Sequence, residues 1–162
     1  MRRSGFTLVE MLVVICIIGI LAALIAVWFV EIGVRAKNVA TRSLIHTLDA
    51  GCSDYRMEFG QAPPSTTYAG SQNLHYYLAQ PWPVVRNGIA TNVGPFINFP
   101  VGWLAPGASS HPSPPSFVYD KFNQPIEYVS PGVQVPTGVD IWSKGRSASD
   151  STDDLSNWQQ DF

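Results

Sequence analysis

Arg2-Arg3-Ser4-Gly5-Phe6-Thr7-Leu8-Val9-Glu10, continued by an apolar run to Val30, is the stretch that decides how this chain folds. From Phe6 to Val30 there are 25 residues with one charged side chain, Glu10. As a helix the run measures about 38 Å, enough to cross a hydrocarbon core of about 30 Å with some tilt. Arg2 and Arg3 precede it, so the positive-inside rule keeps the N-terminus cytoplasmic. A secretory signal peptide has a shorter apolar core and a small-residue cleavage site. Ala22-Ala23 imitates such a site, but the run continues past it through Leu24, Ile25, Val27, Trp28 and Phe29. A plain anchor accounts for the hydropathy and leaves Glu10 unexplained. A charge at a helix centre costs roughly 2.5–3.5 kcal/mol on insertion scales, so Glu10 points to function.

The helix reads on beyond the apolar run. No proline occurs between Met1 and Ala62. Past Val30, apolar Val34, Val39, Leu44, Ile45 and Leu48 alternate with Glu31, Arg35, Lys37, Arg42 and Asp49, a helical face against a core. One helix is expected from about Phe6 to about Phe59, with Gly60 and Pro63-Pro64 as the stop. It has an apolar half over 6–30 and an amphipathic half over 31–60. All 13 prolines lie between Pro63 and Pro136, so residues 61–162 form a different, β-rich domain. Asn73–Ala79 suits one short helix, and Trp103 to Ser116 reads as loop. Strands are expected at Phe117–Tyr119, Ile126–Ser130 and Val139–Ser143. The fold class is α+β, a long N-terminal helix packed on a small antiparallel sheet.

The formal net charge is −2, which gives no reason to expect nucleic acid as a partner. Cys16 and Cys52 are separated by about 54 Å if they share one helix, too far to bridge. Cys52 is therefore expected to be free and buried. His46, His75 and His111 make no metal spacing and read as structural or solvated. No phosphate loop and no nucleophile motif is present, so the chain does not read as an enzyme. Trp82, Trp103, Trp142 and Trp158 suit core and loop anchors better than a ligand cleft.

Gly5-Phe6-Thr7-Leu8-Val9-Glu10 resembles the processing site of type IV pilins and pseudopilins. The resemblance implies a leader over residues 1–5, cleavage between Gly5 and Phe6 by a prepilin peptidase, and N-methylation of Phe6. It further implies that Glu10 pairs with the Phe6 amine of a neighbouring subunit in a filament. Tyr119-Asp120-Lys121-Phe122-Asn123-Gln124-Pro125-Ile126-Glu127-Tyr128-Val129-Ser130-Pro131-Gly132 is similar to the hairpin of the major pseudopilins of type II secretion systems. Lys121, Phe122 and Asn123 depart from that family's pattern. Asp140-Ile141-Trp142-Ser143-Lys144-Gly145 and Asp154-Leu155-Ser156-Asn157-Trp158 resemble its last strand and closing segment. Tyr55 to Pro63 resembles its helix exit, and Gly94-Pro95-Phe96 another of its motifs. Between about Pro81 and Pro115 this chain has an unusually long loop for that family.

In that family the loop after the last strand binds calcium. By register the resemblance assigns the Lys144 carbonyl and Asp154 as ligands. The family's Asp-Gly is replaced here by Ser147-Ala148, and Asp150 or Asp153 would have to substitute. The loop is rich in oxygen donors, so that Ser147, Asp150, Asp153 and Asp154 with Lys144 make the candidate calcium set, and it has no soft ligand, which suits calcium better than zinc. The alternative is an acidic, solvated loop with Asp and Ser as turn caps.

The resemblance thus implies a structural subunit of a type II secretion pseudopilus. It would be single-pass in the inner membrane, with its C-terminal domain in the periplasm. Its partners would be copies of itself in a homo-oligomeric filament, minor pseudopilins, the prepilin peptidase, an inner-membrane assembly platform and membrane lipid. A type IV pilus pilin serving adhesion, DNA uptake or motility is the neighbouring reading. A membrane-tethered periplasmic binding module is the reading from a different class.

Overall fold

A computed structural model describes residues 7–159, with the backbone alone for 26–30. The expected leader over residues 1–5 and the expected terminus Phe6 lie outside the described residues. Two compact units are present, Met1–Lys37 and Asn38–Phe162.

Helix α1 runs over Leu8–Phe59, as the missing prolines and apolar spacing require. Within the first unit, Leu8–Ile25 is long and apolar enough to cross a membrane by length and composition. Glu31 and Arg35 form an exposed i,i+4 ion pair just beyond it.

The second unit is built on the rest of α1. Leu44, Ile45, Leu48, Cys52 and Tyr55 recur at helical spacing and are all buried. Val39, expected on that face, is 68% exposed, because the buried stripe begins at Thr41. At Gly51 a β-carbon would lie 2.4 Å from Ile97 Cδ1. Gly51 is thus the notch that seats Ile97. Tyr55 also contacts Phe59, Tyr77 and Phe96 edge-on or tilted, extending the core toward the helix exit.

Helix α2 spans Gln72–Leu78, one residue earlier than expected at each end. It carries His75, which has no exposed surface. The Ser116 backbone N–H donates to its Nδ1 at 2.9 Å, so the ring proton sits on Nε2, 3.2 Å from the Ser110 carbonyl. One neutral imidazole thereby ties together both ends of the 110–116 loop. Burial, and secondarily His111, push its pKa below the usual histidine value. His46 and His111 are exposed.

Strands β1 (Trp82–Arg86) and β2 (Ile89–Val93) form an antiparallel hairpin inside the segment read as one long loop. Asn87 and Gly88 both have positive φ, 54° and 78°, the requirement of a tight two-residue hairpin turn. The Asn-Gly pair flanked by valines and isoleucine was a sufficient signal for it. Arg86 forms an ion pair with Glu58 near the end of α1. A single 3-10 turn follows over Val101–Trp103.

The main sheet has strands β3 (Glu127–Val129), β4 (Asp140–Ser143) and β5 (Leu155–Ser156), all antiparallel and in that order. The expected strand at Phe117–Tyr119 does not form. Val118 and Tyr119 make only isolated bridges to Leu104 and Pro125. The Tyr119 N–H bonds the Trp103 carbonyl as part of the first bridge, but the Val118 N–H goes to the Ser71 hydroxyl and the Ala105 N–H to the Ser116 hydroxyl, so no continuous ladder develops. Val118, Ile126, Tyr128, Ile141 and Leu155 complete the same core as the α1 residues.

The connection from β3 to β4 is organised by Asp140, itself 3% exposed. Its carboxylate accepts the N–H groups of Val133, Gln134 and Val135 at 2.6, 2.8 and 2.9 Å. The four tryptophans act as anchors: Trp82 and Trp103 pack on the core, and Trp142 meets Trp158 edge-on.

Candidate functional sites

Two regions carry the chemistry expected from the sequence. The first is the start of α1. The Thr7 N–H donates to Glu10 Oε2 at 2.8 Å, and its hydroxyl to the same oxygen at 2.7 Å. In return the Glu10 N–H lies 3.2 Å from Thr7 Oγ1. This is a reciprocal capping box, which satisfies amide donors left open at a helix start. The Thr-x-x-Glu spacing made it legible in advance, although the reading of Glu10 looked only to a neighbouring chain. Phe6, its expected partner, lies outside the described residues.

The second region is the loop that leaves β4 and returns as β5. Among the described residues no three His, Cys, Asp or Glu side chains come together as a metal cluster. A cation here would depend on carbonyls, hydroxyls and water as well as carboxylates, the all-oxygen set that calcium takes, whereas zinc sites are built mainly on Cys and His. Asp153 lies at the centre. Its Oδ2 accepts the Ser147 N–H at 3.0 Å, while its Oδ1 is buried with no hydrogen-bond partner. A buried, unpaired carboxylate oxygen is costly, and a hard cation is one way to satisfy it.

Asp154 is held above the usual aspartate range by partial burial and then by the negative charge of Asp153, with Asp150 adding to it and Lys144 opposing. Asp150 is exposed and accepts the Thr152 N–H and hydroxyl, which hold its carboxyl below the usual range. Ser147 thus comes to Asp153, and Asp153 and Asp154 share one electrostatic environment. Asp150 is occupied as a turn cap, whereas Asp153 keeps one oxygen without a partner. The donors that the loop offers are all oxygen, the ligand class that calcium takes.

Two residues of this region carried no assigned role in the sequence. Asp120 is 4% exposed, and its Oδ1 accepts the Phe122 and Gln124 N–H groups at 2.7 and 2.8 Å. The Ser143 hydroxyl donates to its Oδ2, and Ser143 Oγ in turn accepts the Gly145 N–H at 3.0 Å. The turn after Tyr119 and the turn after β4 are therefore joined by one hydrogen-bond chain.

Cys52 is free and buried, as expected, and burial pushes its thiol pKa up. Cys16 is free and exposed.

The chain thus joins a membrane-length apolar helix, capped by Thr7 and Glu10, to an α+β unit built on its second half. Its residues 1–26 match the family model described as the prokaryotic N-terminal methylation motif. The chain is 27% identical over 161 residues to the type II secretion system core protein G of Pseudomonas aeruginosa, covering 97% of this chain and 96% of that one. No solved structure gives a significant match.

Proposed function

We propose that this chain is a structural, non-enzymatic subunit of a type II secretion pseudopilus. The observation that carries the reading is the conjunction of the methylation motif with similarity to core protein G across nearly the whole chain. In this reading a prepilin peptidase cuts between Gly5 and Phe6, and Phe6 becomes the methylated terminus. Leu8–Ile25 anchors the protein once in the inner membrane, with the second unit in the periplasm. The subunit then leaves the bilayer for a filament of its own copies, together with minor pseudopilins and an inner-membrane assembly platform.

Glu10 acts twice. In the lone subunit its carboxylate caps α1 through Thr7. In the filament it accepts the Phe6 amine of a neighbour, and the pair fixes axial register, the best-attested use of a buried ion pair. The loop from Lys144 to Asp154 binds calcium through Asp153, Asp154, the Lys144 carbonyl and further loop oxygens. Support for this comes from the orphaned Asp153 Oδ1 and from a donor set made only of oxygen.

Intact mass of the protein recovered from membranes tests the reading. A chain beginning at Phe6 and about 14 Da heavier than the bare peptide is expected. A chain still beginning at Met1, in cells with an active prepilin peptidase, overturns it. Glu10→Ala should leave the subunit in the membrane and abolish the filament. Normal filaments from that variant would remove the register role.

A further inference from the structure

We infer that Asp120 and Ser143 are positioning residues that lock the peptide group between Lys144 and Gly145, and with it the direction of the Lys144 carbonyl at the start of the acidic loop. The relevance to calcium rests on the loop reading proposed above; the lock itself does not.

A serine hydroxyl has one proton and two acceptor lone pairs. The Ser143 proton is committed to the Asp120 carboxylate, which as an ion can only accept. What Ser143 Oγ presents on its other side is a lone pair, and the Gly145 N–H fills it at 3.0 Å. The amide plane containing that N–H also contains the Lys144 C=O, which points the opposite way because the peptide is planar and trans. Fixing one end of the plane fixes the other. Asp120 is itself held by two backbone N–H groups, so the chain of constraints starts from a rigid turn.

Two further observations place this peptide at the neck of the loop. Gly145 has φ +60°, the left-handed region where glycine is favoured. A β-carbon there would lie 2.2 Å from the Asp153 carbonyl oxygen, so the loop's outgoing and returning backbones touch at Gly145. The Lys144 ammonium, meanwhile, pairs with Glu127 Oε1 at 3.1 Å on the neighbouring strand β3. A peptide plane free to rotate at this neck would turn that carbonyl away and shift the register of Ser147 against Asp153.

The test uses the full chain in detergent micelles, with Ser143→Ala, Ser143→Thr, Asp120→Asn and Asp153→Asn. The first readout needs no calcium: amide exchange at Gly145 followed by NMR in EGTA. Slow exchange in the parent and fast exchange in Ser143→Ala, restored in Ser143→Thr, is expected. Equal exchange in parent and Ser143→Ala overturns the lock. The second readout is the rise in Tm on titrating calcium chloride. Ser143→Ala and Asp120→Asn should need about tenfold more calcium for the half-maximal rise, the usual scale for outer-shell partners. Asp153→Asn should respond little at any concentration.

A parent that responds to calcium, with Ser143→Ala responding at the same concentrations, overturns the positioning role and leaves the calcium reading standing. A parent with no response overturns the calcium reading, and the exchange result then decides the lock alone. Ser143→Ala removes a single oxygen, so the test stands even if Asp120→Asn fails to fold.

Discussion

Acidification should loosen the 110–116 loop through His75, and the size of the effect follows from its two hydrogen bonds. Nδ1 accepts the Ser116 N–H and Nε2 donates to the Ser110 carbonyl, so the site fits only the neutral ring. A proton added to Nδ1 would face an N–H group in a position with no solvent access. The folded pKa lies below the ordinary 6.5, chiefly through burial. The native state therefore binds fewer protons than the unfolded chain, and stability rises with pH. This contribution is intact above pH 6.5 and is lost as the pH falls below that value toward the folded pKa. One missing proton gives a slope of at most about 1.4 kcal/mol per pH unit, so between pH 7.5 and 5.5 the loss is capped near about 1.4 kcal/mol. For a unit of this size that is at most roughly 4–8 °C in Tm.

The assay is thermal unfolding of the full chain in micelles, followed by tryptophan fluorescence at both pH values. His75→Gln should be less stable at pH 7.5 by roughly 1–3 kcal/mol, since a buried partner is lost, yet flatter between the two pH values. Parallel pH curves for parent and variant would refute the argument.

Other perturbations separate the parts of the fold. Ile141→Ala, at a fully buried position on the middle strand, should lose about 2–5 kcal/mol in urea denaturation. Asp140→Asn should lose roughly 1–3 kcal/mol and speed amide exchange at Val133, Gln134 and Val135 together, because one carboxylate serves all three. Exchange rising at only one of them would mean that the turn holds itself. Gly88→Ala should cost about 1–2 kcal/mol at its left-handed position. That cost should appear as faster exchange in β1 and β2, with little change in the Tm of the core.

The helix was legible because one signal, the absence of proline across an apolar and then amphipathic run, decides it without tertiary help. The buried positions Leu44, Ile45 and Leu48 followed from the same spacing, whereas Val39 did not, because hydropathy alone does not reveal where the covering domain begins. The strand expected at Phe117–Tyr119 failed for a reason no local pattern contains: a serine 47 residues away takes the Val118 N–H. The hairpin at Asn87-Gly88 is legible in its turn pair and the β-branched residues that flank it. In the acidic loop, composition pointed to oxygen donors, but only coordinates distinguish Asp150, engaged as a turn cap, from Asp153, with its orphaned oxygen. Asp120 and Ser143 sit in sequence motifs, yet their connection depends on two turns meeting in space.

The β1–β2 hairpin pairs only with itself, and its tip residues Val85 and Ile89 are 71% and 65% exposed. It touches the framework mainly through Trp82 at its root and the Arg86–Glu58 contact near its tip. Such an appendage can lengthen, shorten or change its side chains without disturbing the packing beneath it. Sequence drift among relatives should therefore collect there, giving each a distinct outer relief on a common frame. For the same reason the Asn87-Gly88 tip is the natural place to graft a tag or a fluorophore.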